Sequence, residues 1–194
     1  MSYSIEPAYL VQNELTHLIM RASMDPVNKW FFGDGCFSAD SDIERSPNTW
    51  RHENFVIISG KEIVAYIEAS WSKPLNIINN FRLIYFNKEK RFVTAKAIFK
   101  YFDYLFVIRG CKAINWFVAE KNYHAHRLYK KFTGNYYGHE VGRRHYGQMA
   151  YDGEVSDIIL YEITKEEYKV WKEKQSFVEG KKAGHLQQQV TGKV

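Results

Sequence analysis

The sequence predicts an α/β fold with a central mixed β-sheet, because strand-type and helix-type periodicities follow one another along the chain. A β-hairpin is predicted in the first half, strand and helix then alternate, and two β-type runs come last. The 194 residues suit one domain, and 45% of them are apolar, enough for a core. The aromatic share of 16% indicates that Trp, Tyr and Phe fill much of that core.

The first predicted element is a helix over residues 9–23, in which Leu15 and Ile19 recur at helical spacing. The dipeptide Asp25-Pro26 ends this helix, because proline keeps the residue before it out of the helical conformation. Residues 33–53 are rich in Gly, Asp and Ser and have no period. We expect a loop or short helix there, a natural place for substrate-specific contacts.

A β-hairpin is predicted next, with strands over Phe55–Ile58 and Ile63–Trp71 and a turn at Ser59-Gly60-Lys61. A short strand over Phe81–Phe86 follows it, bounded by an asparagine pair before it and by charges after it.

A helix and a strand come next. The helix is predicted over Thr94–Arg109, where Ile98 and Phe102 share an apolar face, and Gly110 is its C-terminal stop. The strand is predicted over Ile114–Val118, where apolar residues alternate.

The next segment carries the most specific pattern in the chain. Its motif N-x-x-A-x-x-L-Y starts at Asn122 and places Ala125, Leu128 and Tyr129 at helical spacing, so that one apolar face carries a tyrosine. Two β-type runs then follow, at about residues 136–149 and 157–163, joined across an Asp-Gly turn.

Helix, long strand, turn and final strand in this order resemble the C-terminal half of the GCN5-related N-acetyltransferase (GNAT) family. The spacing G-x-x-x-G, D-G, D-x-x-x-Y-x-I-x-x-E-E is similar to the spacing in the ribosomal-protein and polyamine acetyltransferase branch of this family. The run Met24–Trp30 resembles the D-P-x-x-x-W element that helps to wall the acceptor site in that branch. The resemblance covers residues 3–171. It implies a GNAT-like three-layer fold, with a mixed, mostly antiparallel sheet splayed between two strands and helices on both faces.

The resemblance makes acetyl-CoA the leading ligand, as a co-substrate. In the family this molecule enters the gap between two strands that correspond here to residues 81–86 and 114–118. Its pantetheine arm pairs with the first of them like an added strand. Leu83, Ile84 and Tyr85 are the residues that the resemblance assigns to this contact.

The family binds the diphosphate of CoA with the signature R/Q-x-x-G-x-G/A. The matching positions here are Arg91, Phe92, Val93, Thr94, Ala95 and Lys96. The arginine matches, but Thr94 and Lys96 stand where glycine lets a backbone approach phosphates closely. Thr94 is expected to cap the helix, and nearby lysines supply positive charge. Either the diphosphate binds here with altered geometry or CoA binds poorly.

The resemblance also assigns catalytic roles. Asn122 contacts the pantetheine or caps its helix, and Tyr129 points at the CoA sulfur, where a tyrosine can protonate the departing thiolate. Core packing is the alternative role of Tyr129. Glu120 and Glu68 are the two candidate general bases, and surface carboxylates are the alternative interpretation of each.

The charge distribution bears on domains and partners. The formal net charge is +5, and residues 172–194 carry +3 of it through five lysines against two glutamates. We therefore predict an acyltransferase domain over residues 1–171 and a polar, basic C-terminal tail over 172–194, too poor in apolar residues to pack by itself. Because most of the excess charge lies on the tail, it is weak support for nucleic-acid binding.

Several site classes find no support in the sequence. Cys36 and Cys111 have no metal or redox spacing and indicate free thiols of a reducing compartment. His124 and His126 face different ways on a helix, and no carboxylate or Cys stands at ligand spacing from His139 or His145, so no metal site is predicted. No apolar run reaches the roughly 18 residues of a membrane span, and the start MSYSIEP does not resemble a signal peptide. A cytoplasmic protein is expected.

The function predicted is acetyl-CoA-dependent N-acetyl transfer to a primary amine of a protein, a polyamine or another small molecule, by direct attack in a ternary complex. One alternative is a GNAT-like protein that has lost catalysis and serves as a binding or structural module. The other is an acyltransferase acting on nucleic acid or aminoacyl-tRNA. A homodimer is an open expectation for the assembly.

Overall fold

Eight strands form one sheet within the residues that we describe, 2–30, 33–34, 51–127, 138–150 and 152–174 of a computed structural model. The strands are β1 Ser4–Pro7, β2 Gly33–Asp34, β3 His52–Ser59, β4 Glu62–Ser72, β5 Ile77–Tyr85, β6 Ala113–Ala119, β7 His139–Ala150 and β8 Val155–Thr164. Their order across the sheet is β1-β3-β4-β5-β6-β8-β7-β2. The β5–β6 pair is parallel, and the other six pairs are antiparallel.

Helices cover both faces of this sheet. They are α1 Gln12–Ser23, α2 Arg91–Asp103 with a π-helical extension over Tyr104–Ile108, α3 over the described residues 123–127, and α4 over 165–174. We call the side on which α1 packs the α1 face, and the side covered by α2 and α4 the α2 face. This arrangement confirms the three-layer, mixed and mostly antiparallel α/β fold expected from the sequence.

The α2 face holds most of the core. Strand residues such as Ile67 and Trp116 pack there against Tyr101 of α2 and Tyr168 of α4, all of them buried. The α1 face holds a smaller apolar cluster, in which Leu15 and Ile19 of α1 meet strand residues that include Tyr66. Large aromatic side chains supply much of the buried area, as the composition indicates.

The predicted hairpin is confirmed, and its strands are longer than the apolar runs alone suggest. Gly60 has φ +70 in the turn between β3 and β4, a conformation that costs glycine little. β5 is also longer than predicted. It begins at Ile77, before the asparagine pair that was predicted to precede the strand. Both asparagines lie within the strand. Asn79 forms a bulge, and Asn80 faces a polar part of the sheet.

The helix after β5 begins at Arg91, three residues before the predicted start. Its end is as predicted, because Gly110 adopts φ +68 after the π-helical extension. Among the described residues, no helix is both long and apolar enough to cross a bilayer. α4 reaches residue 174, three residues beyond the predicted domain boundary at Trp171.

Candidate active site

The gap between β5 and β6 is the feature on which the site depends. Across the described sheet these parallel strands are paired only at Ile78 and Ile114. Directly after Ile78 the register of β5 with β4 skips Asn79, which makes this residue a β-bulge. Because a bulge bends its strand, β5 turns away from β6 and the two diverge toward their C-terminal ends.

The edge of β5 along this gap contains the three residues assigned to the pantetheine. Leu83, Ile84 and Tyr85 pair with β4 on their other side. Peptide groups of successive residues in a strand point to opposite edges, so part of this backbone turns its N–H and C=O groups into the gap. Burial raises the pKa of the Tyr85 hydroxyl, which therefore stays neutral at physiological pH.

The start of α2 lies just beyond the end of β5 and is basic. A single 3₁₀ turn, Lys88–Lys90, joins them directly, and Asn87 caps it by accepting from the Glu89 N–H at 2.9 Å. The N–H groups of Lys90 and Arg91 are bonded inside this turn, to the carbonyls of Asn87 and Lys88. Binding of an anion at this helix start would therefore depend more on side-chain charge than binding at a glycine-rich loop does.

The six positions of the phosphate signature divide by exposure. Arg91, Phe92 and Lys96 are exposed, Ala95 is half-buried, and Val93 and Thr94 are buried. The Arg91 guanidinium carbon lies 5.1 Å from the centroid of the Phe92 ring. Arg91 and Lys96 thus place two cations on the outside of the first helical turns.

The expected capping role of Thr94 is wrong. No side chain caps α2, and Thr94 is its fourth residue rather than its cap. Its hydroxyl is buried and donates to the Lys90 carbonyl at 3.3 Å, a bond of the helix to itself. The helix begins three residues before its predicted start, because the basic residues before Thr94 show no helical period.

Asn122 caps α3. Its Oδ1 accepts from the Ala125 N–H at 3.2 Å, and its carbonyl accepts from the His126 N–H at 2.9 Å. The side chain is 9% exposed, so the cap is largely withdrawn from solvent. This is one of the two expected roles of Asn122. Tyr129, the predicted acid, lies outside the described residues.

Glu120 follows the last residue of β6 and forms a bidentate ion pair. Arg143 of β7 donates to its two carboxylate oxygens at 2.9 and 2.8 Å, and this contact raises the pKa of the guanidinium. Arg143 also reaches Asp157 at 3.4 Å. To act as a base, Glu120 would first have to break this pair.

Glu68 lies on β4, directly opposite Arg82 of β5. Its carboxylate is 3.7 Å from the nearest guanidinium nitrogen, longer than a charge-assisted hydrogen bond, and the Glu68 side chain is 14% exposed. Both residues lie on the α1 face, because they stand two positions from Tyr66 and Ile84, which pack against α1. The structure thus places Glu68 beside the strand that borders the gap.

The segment that resembles an acceptor wall packs against the far side of the gap. Trp30 is buried with Ala119, the last residue of β6, and with Ala150 of β7. Gln148 donates to the Trp30 carbonyl, and Lys29 pairs with Asp152 at 2.9 Å. These contacts hold Trp30 over the end of β6.

Two histidines have carboxylate partners that sequence spacing does not show. His139 lies 2.8 Å from Glu167, and His145 lies 2.8 Å from Asp157. These partners stand on other elements, which folding brings close to the histidines. Within the described ranges, no three or more His, Cys, Asp or Glu side chains group as metal ligands would.

Two arginines that form ion pairs at the site were not predicted from the sequence. Arg143 and Arg82 pair with the two candidate bases, Glu120 and Glu68. The alternation of β7 could have indicated Arg143, but only the register with β8 brings it to Glu120. The sequence does show Arg82 as a charged residue inside an apolar strand, and this signal could have identified it.

The fold is that of several acetyltransferases of known structure. A Vibrio cholerae spermidine N-acetyltransferase, solved with CoA and spermine, matches with a TM-score of 0.63 at 16% identity over 86% of this chain and 97% of that one. A SpeG chimera of the Vibrio cholerae and human enzymes matches with a TM-score of 0.63 at 14% identity, over 87% and 98%. A crystal structure of an inferred acetyltransferase matches with a TM-score of 0.54 at 17% identity, over 64% of this chain and 63% of that one.

At the level of sequence, no family profile and no curated protein matches the chain. The structural neighbours share at most 17% of aligned residues with it, so what they establish is the arrangement of the backbone. In this chain the arrangement is an eight-stranded sheet opened between β5 and β6. The chain has the fold of the GCN5-related N-acetyltransferases.

Proposed function

We propose that the protein is an acetyl-CoA-dependent N-acetyltransferase that transfers the acetyl group to a primary amine. The observation that carries the proposal is the gap between β5 and β6, opened by the Asn79 bulge after a single pair of residues. An open strand edge of this kind can accept an extended chain with amide groups, as a β-strand would. The pantetheine arm of CoA is such a chain.

The phosphate end of acetyl-CoA belongs at the start of α2 in this proposal. A helix N-terminus favours an anion through its dipole, and Lys88, Arg91 and Lys96 add exposed positive charge. The 3₁₀ turn already uses two of the amides that a glycine-rich loop would offer. We therefore expect side-chain electrostatics to dominate, and CoA affinity to fall steeply as salt rises.

The reaction needs no covalent enzyme intermediate. The acceptor ammonium loses a proton to the base, and the amine nitrogen then attacks the thioester carbonyl carbon. The tetrahedral adduct loses its second nitrogen proton to water and collapses with cleavage of the C–S bond, and the CoA thiolate takes a proton from Tyr129 to leave as the thiol. Alignment of the two substrates in one gap and N–H groups of β5 directed at the carbonyl oxygen would supply most of the acceleration.

Glu68 is the base that the geometry supports better. Its pair with Arg82 is longer than a hydrogen bond, whereas Glu120 is held by two hydrogen bonds from Arg143. Glu68 also lies on the α1 face, the side on which Trp30 packs over the end of β6. Tyr129 is the proposed acid that protonates the thiolate.

The proposal has two direct tests. Isothermal calorimetry with acetyl-CoA measures binding, and mass spectrometry of amines incubated with protein and labelled acetyl-CoA measures transfer. The amine panel holds polyamines, peptides, amino acids and tRNA. Binding with transfer supports the enzyme. Binding without transfer to any acceptor makes the chain a CoA-binding module, and absence of binding at millimolar acetyl-CoA refutes the proposal.

Two further expectations are part of this proposal. A cytoplasmic setting fits the supply of acetyl-CoA and the free, buried thiol of Cys111. Self-association, as expected for a homodimer, stays a prediction; among the structural neighbours, a Vibrio cholerae spermidine N-acetyltransferase is a dodecamer. Light scattering of the purified chain measures the assembly.

A further inference from the structure

The α1 face of the sheet changes from apolar to polar at one row of residues. The Tyr66–Ile84 pair lies in the apolar cluster under α1. The next two pairs of β4 and β5 on this face are Glu68–Arg82 and Ser70–Asn80. The neighbouring strand β3 adds Asn54 opposite Glu68 and His52 opposite Ser70. We call these six residues, His52, Asn54, Glu68, Ser70, Asn80 and Arg82, the polar strip.

The polar strip lies where the acceptor amine must arrive under the proposed function. Asn80 and Arg82 follow the Asn79 bulge, so they stand on the part of β5 that has just left β6. The reacting end of an extended ligand in the gap lies near the point of divergence, with its phosphates at the start of α2. The polar strip therefore borders the acetyl group from the α1 face.

Contacts in and beside the strip hold Arg82 and Asn54 in place. With the Asn80 amide oxygen turned toward Arg82, that oxygen accepts from Nε at 2.9 Å and from Nη2 at 3.2 Å. Tyr66 donates to the Asn54 Oδ1 at 3.1 Å, next to Glu68 on the same face. The Glu68 and Arg82 side chains are 14% and 22% exposed. The result is one anion and one cation, half-buried and 3.7 Å apart.

Among the described residues around the gap, the carboxylates named here are paired with cations rather than in acidic excess. Besides the Glu68–Arg82 pair, Glu120 is paired with Arg143. The carboxylates of the β7–β8 turn are paired as well, with Lys29 and Lys121. A polycation gains most where carboxylates outnumber the cations of the protein, and that is not the case for these groups.

Resting on the function proposed above, we propose that Glu68 and Arg82 select an acceptor whose amine and carboxylate are close together, as in an α-amino acid. The acceptor ammonium takes the place of the guanidinium beside Glu68, and its carboxylate binds Arg82. Arg82 is a specificity-determining residue, because a guanidinium binds a planar carboxylate through two parallel N–H bonds. Glu68 then removes the proton that the amine must lose before it attacks the thioester.

Matched pairs of acceptors test this proposal on the wild-type protein. Lysine against 1,5-diaminopentane, and phenylalanine against 2-phenylethylamine, differ only by the carboxylate. We expect the amino acid to have a kcat/KM at least about tenfold higher in each pair, the scale of one charge-assisted interaction. Acetylation of lysine should fall on its α-nitrogen, which tandem mass spectrometry shows.

Variants of Arg82 sharpen the test. Arg82→Gln should raise KM for the amino acid about tenfold or more and change the decarboxylated amine little, whereas Arg82→Lys should restore part of the difference. Arg82→Glu should reverse the preference toward diamines and spermidine. Arg21→Gln, which removes one exposed charge at the end of α1, is the matched control and should change neither KM.

The outcomes separate this inference from the function on which it rests. Transfer that is equal for both members of each pair, or better to 1,5-diaminopentane and spermidine, overturns the α-amino acid proposal and leaves the acetyltransferase standing. Transfer to no amine, with no binding of acetyl-CoA in calorimetry, overturns both. Because the matched pairs use the wild-type chain, unfolding of an Arg82 variant does not remove the test.

Discussion

Two glutamate–arginine pairs on opposite faces of the same sheet have opposite character. On the α2 face, Glu53 is 3% exposed. Its carboxylate accepts hydrogen bonds from Arg109 at 2.5 Å and from the Tyr101 hydroxyl at 3.0 Å. On the α1 face, Glu68 and Arg82 stand 3.7 Å apart and are less buried. The first pair is closed by short bonds, whereas the charged groups of the second lie farther apart.

The surroundings of the two pairs explain the difference. Arg109 also lies over the Trp71 ring at 4.9 Å and donates to the Tyr104 hydroxyl at 2.9 Å, so aromatic groups flank its guanidinium. The π-helical extension of α2 brings it there, because the Arg109 N–H bonds to the Tyr104 carbonyl five residues back. Glu68 instead has a polar strip around it. We infer that the first pair stabilises the fold and the second serves the reaction.

The largest effect is expected for Glu68→Gln. Loss of a general base lowers turnover by about a hundredfold or more, while neutralisation of this half-buried carboxylate, 3.7 Å from Arg82, should change the melting temperature little. Steady-state kinetics and thermal denaturation of the same preparation measure the two effects. Glu120→Gln is the comparison variant, and if it lowers kcat more than Glu68→Gln does, Glu120 is the base instead.

Tyr129→Phe tests the proposed acid. We expect kcat to fall between about ten- and a thousandfold, with little change in acetyl-CoA affinity, because only the proton donor is removed. The pKa of a thiol, about 8.5, is below that of a phenol, so the neutral tyrosine supplies a proton only as the thiolate leaves. A kcat equal to that of the wild type would assign Tyr129 to core packing.

The comparison of the two pairs also shows what the sequence can predict. Periodicity located the elements of the core, and the pattern from Asn122 onward indicated the fold, because both depend on local spacing. The bulge at Asn79 could not be read, because an asparagine pair is also a typical strand boundary. The partners of Glu53 and Glu68 depend on register and on the π-helical turn, which sequence spacing does not encode.

Glu53→Gln should affect stability instead of catalysis. The change weakens two hydrogen bonds of a buried carboxylate and leaves the Arg109 charge uncompensated, and since Arg109 is 35% exposed we expect about 2 kcal/mol in the free energy of unfolding. Urea denaturation measures this loss. Turnover per folded molecule should match the wild type, and a loss of kcat without a loss of stability would contradict the division between the two faces.

Arg91→Glu tests the phosphate end of the gap. The change puts a negative charge beside the proposed diphosphate site at the start of α2, where the 3₁₀ turn already uses two amides. The Kd for acetyl-CoA should therefore rise about tenfold or more. Calorimetry at two salt concentrations measures it, and the difference from the wild type should shrink at high salt. Arg21→Glu, on an exposed residue at the end of α1, makes the same change of charge away from the site and is the control. An unchanged Kd would move the phosphate site away from α2.

The smallest effect is expected for the C-terminal tail. Removal of residues 175–194 should leave the melting temperature and acetyl-CoA binding unchanged, because β8 and the buried Trp171 of α4 precede the cut.

Removal from Lys172 onward also takes away its ion pair with Asp103, and both side chains are more than one third exposed. Such a surface pair contributes about 1 kcal/mol at most, so the melting temperature should fall by less than about 4 °C. A larger fall for the longer deletion, with none for the shorter one, would extend the domain from Trp171 to residue 174. A large fall for both would show that the tail packs on the fold.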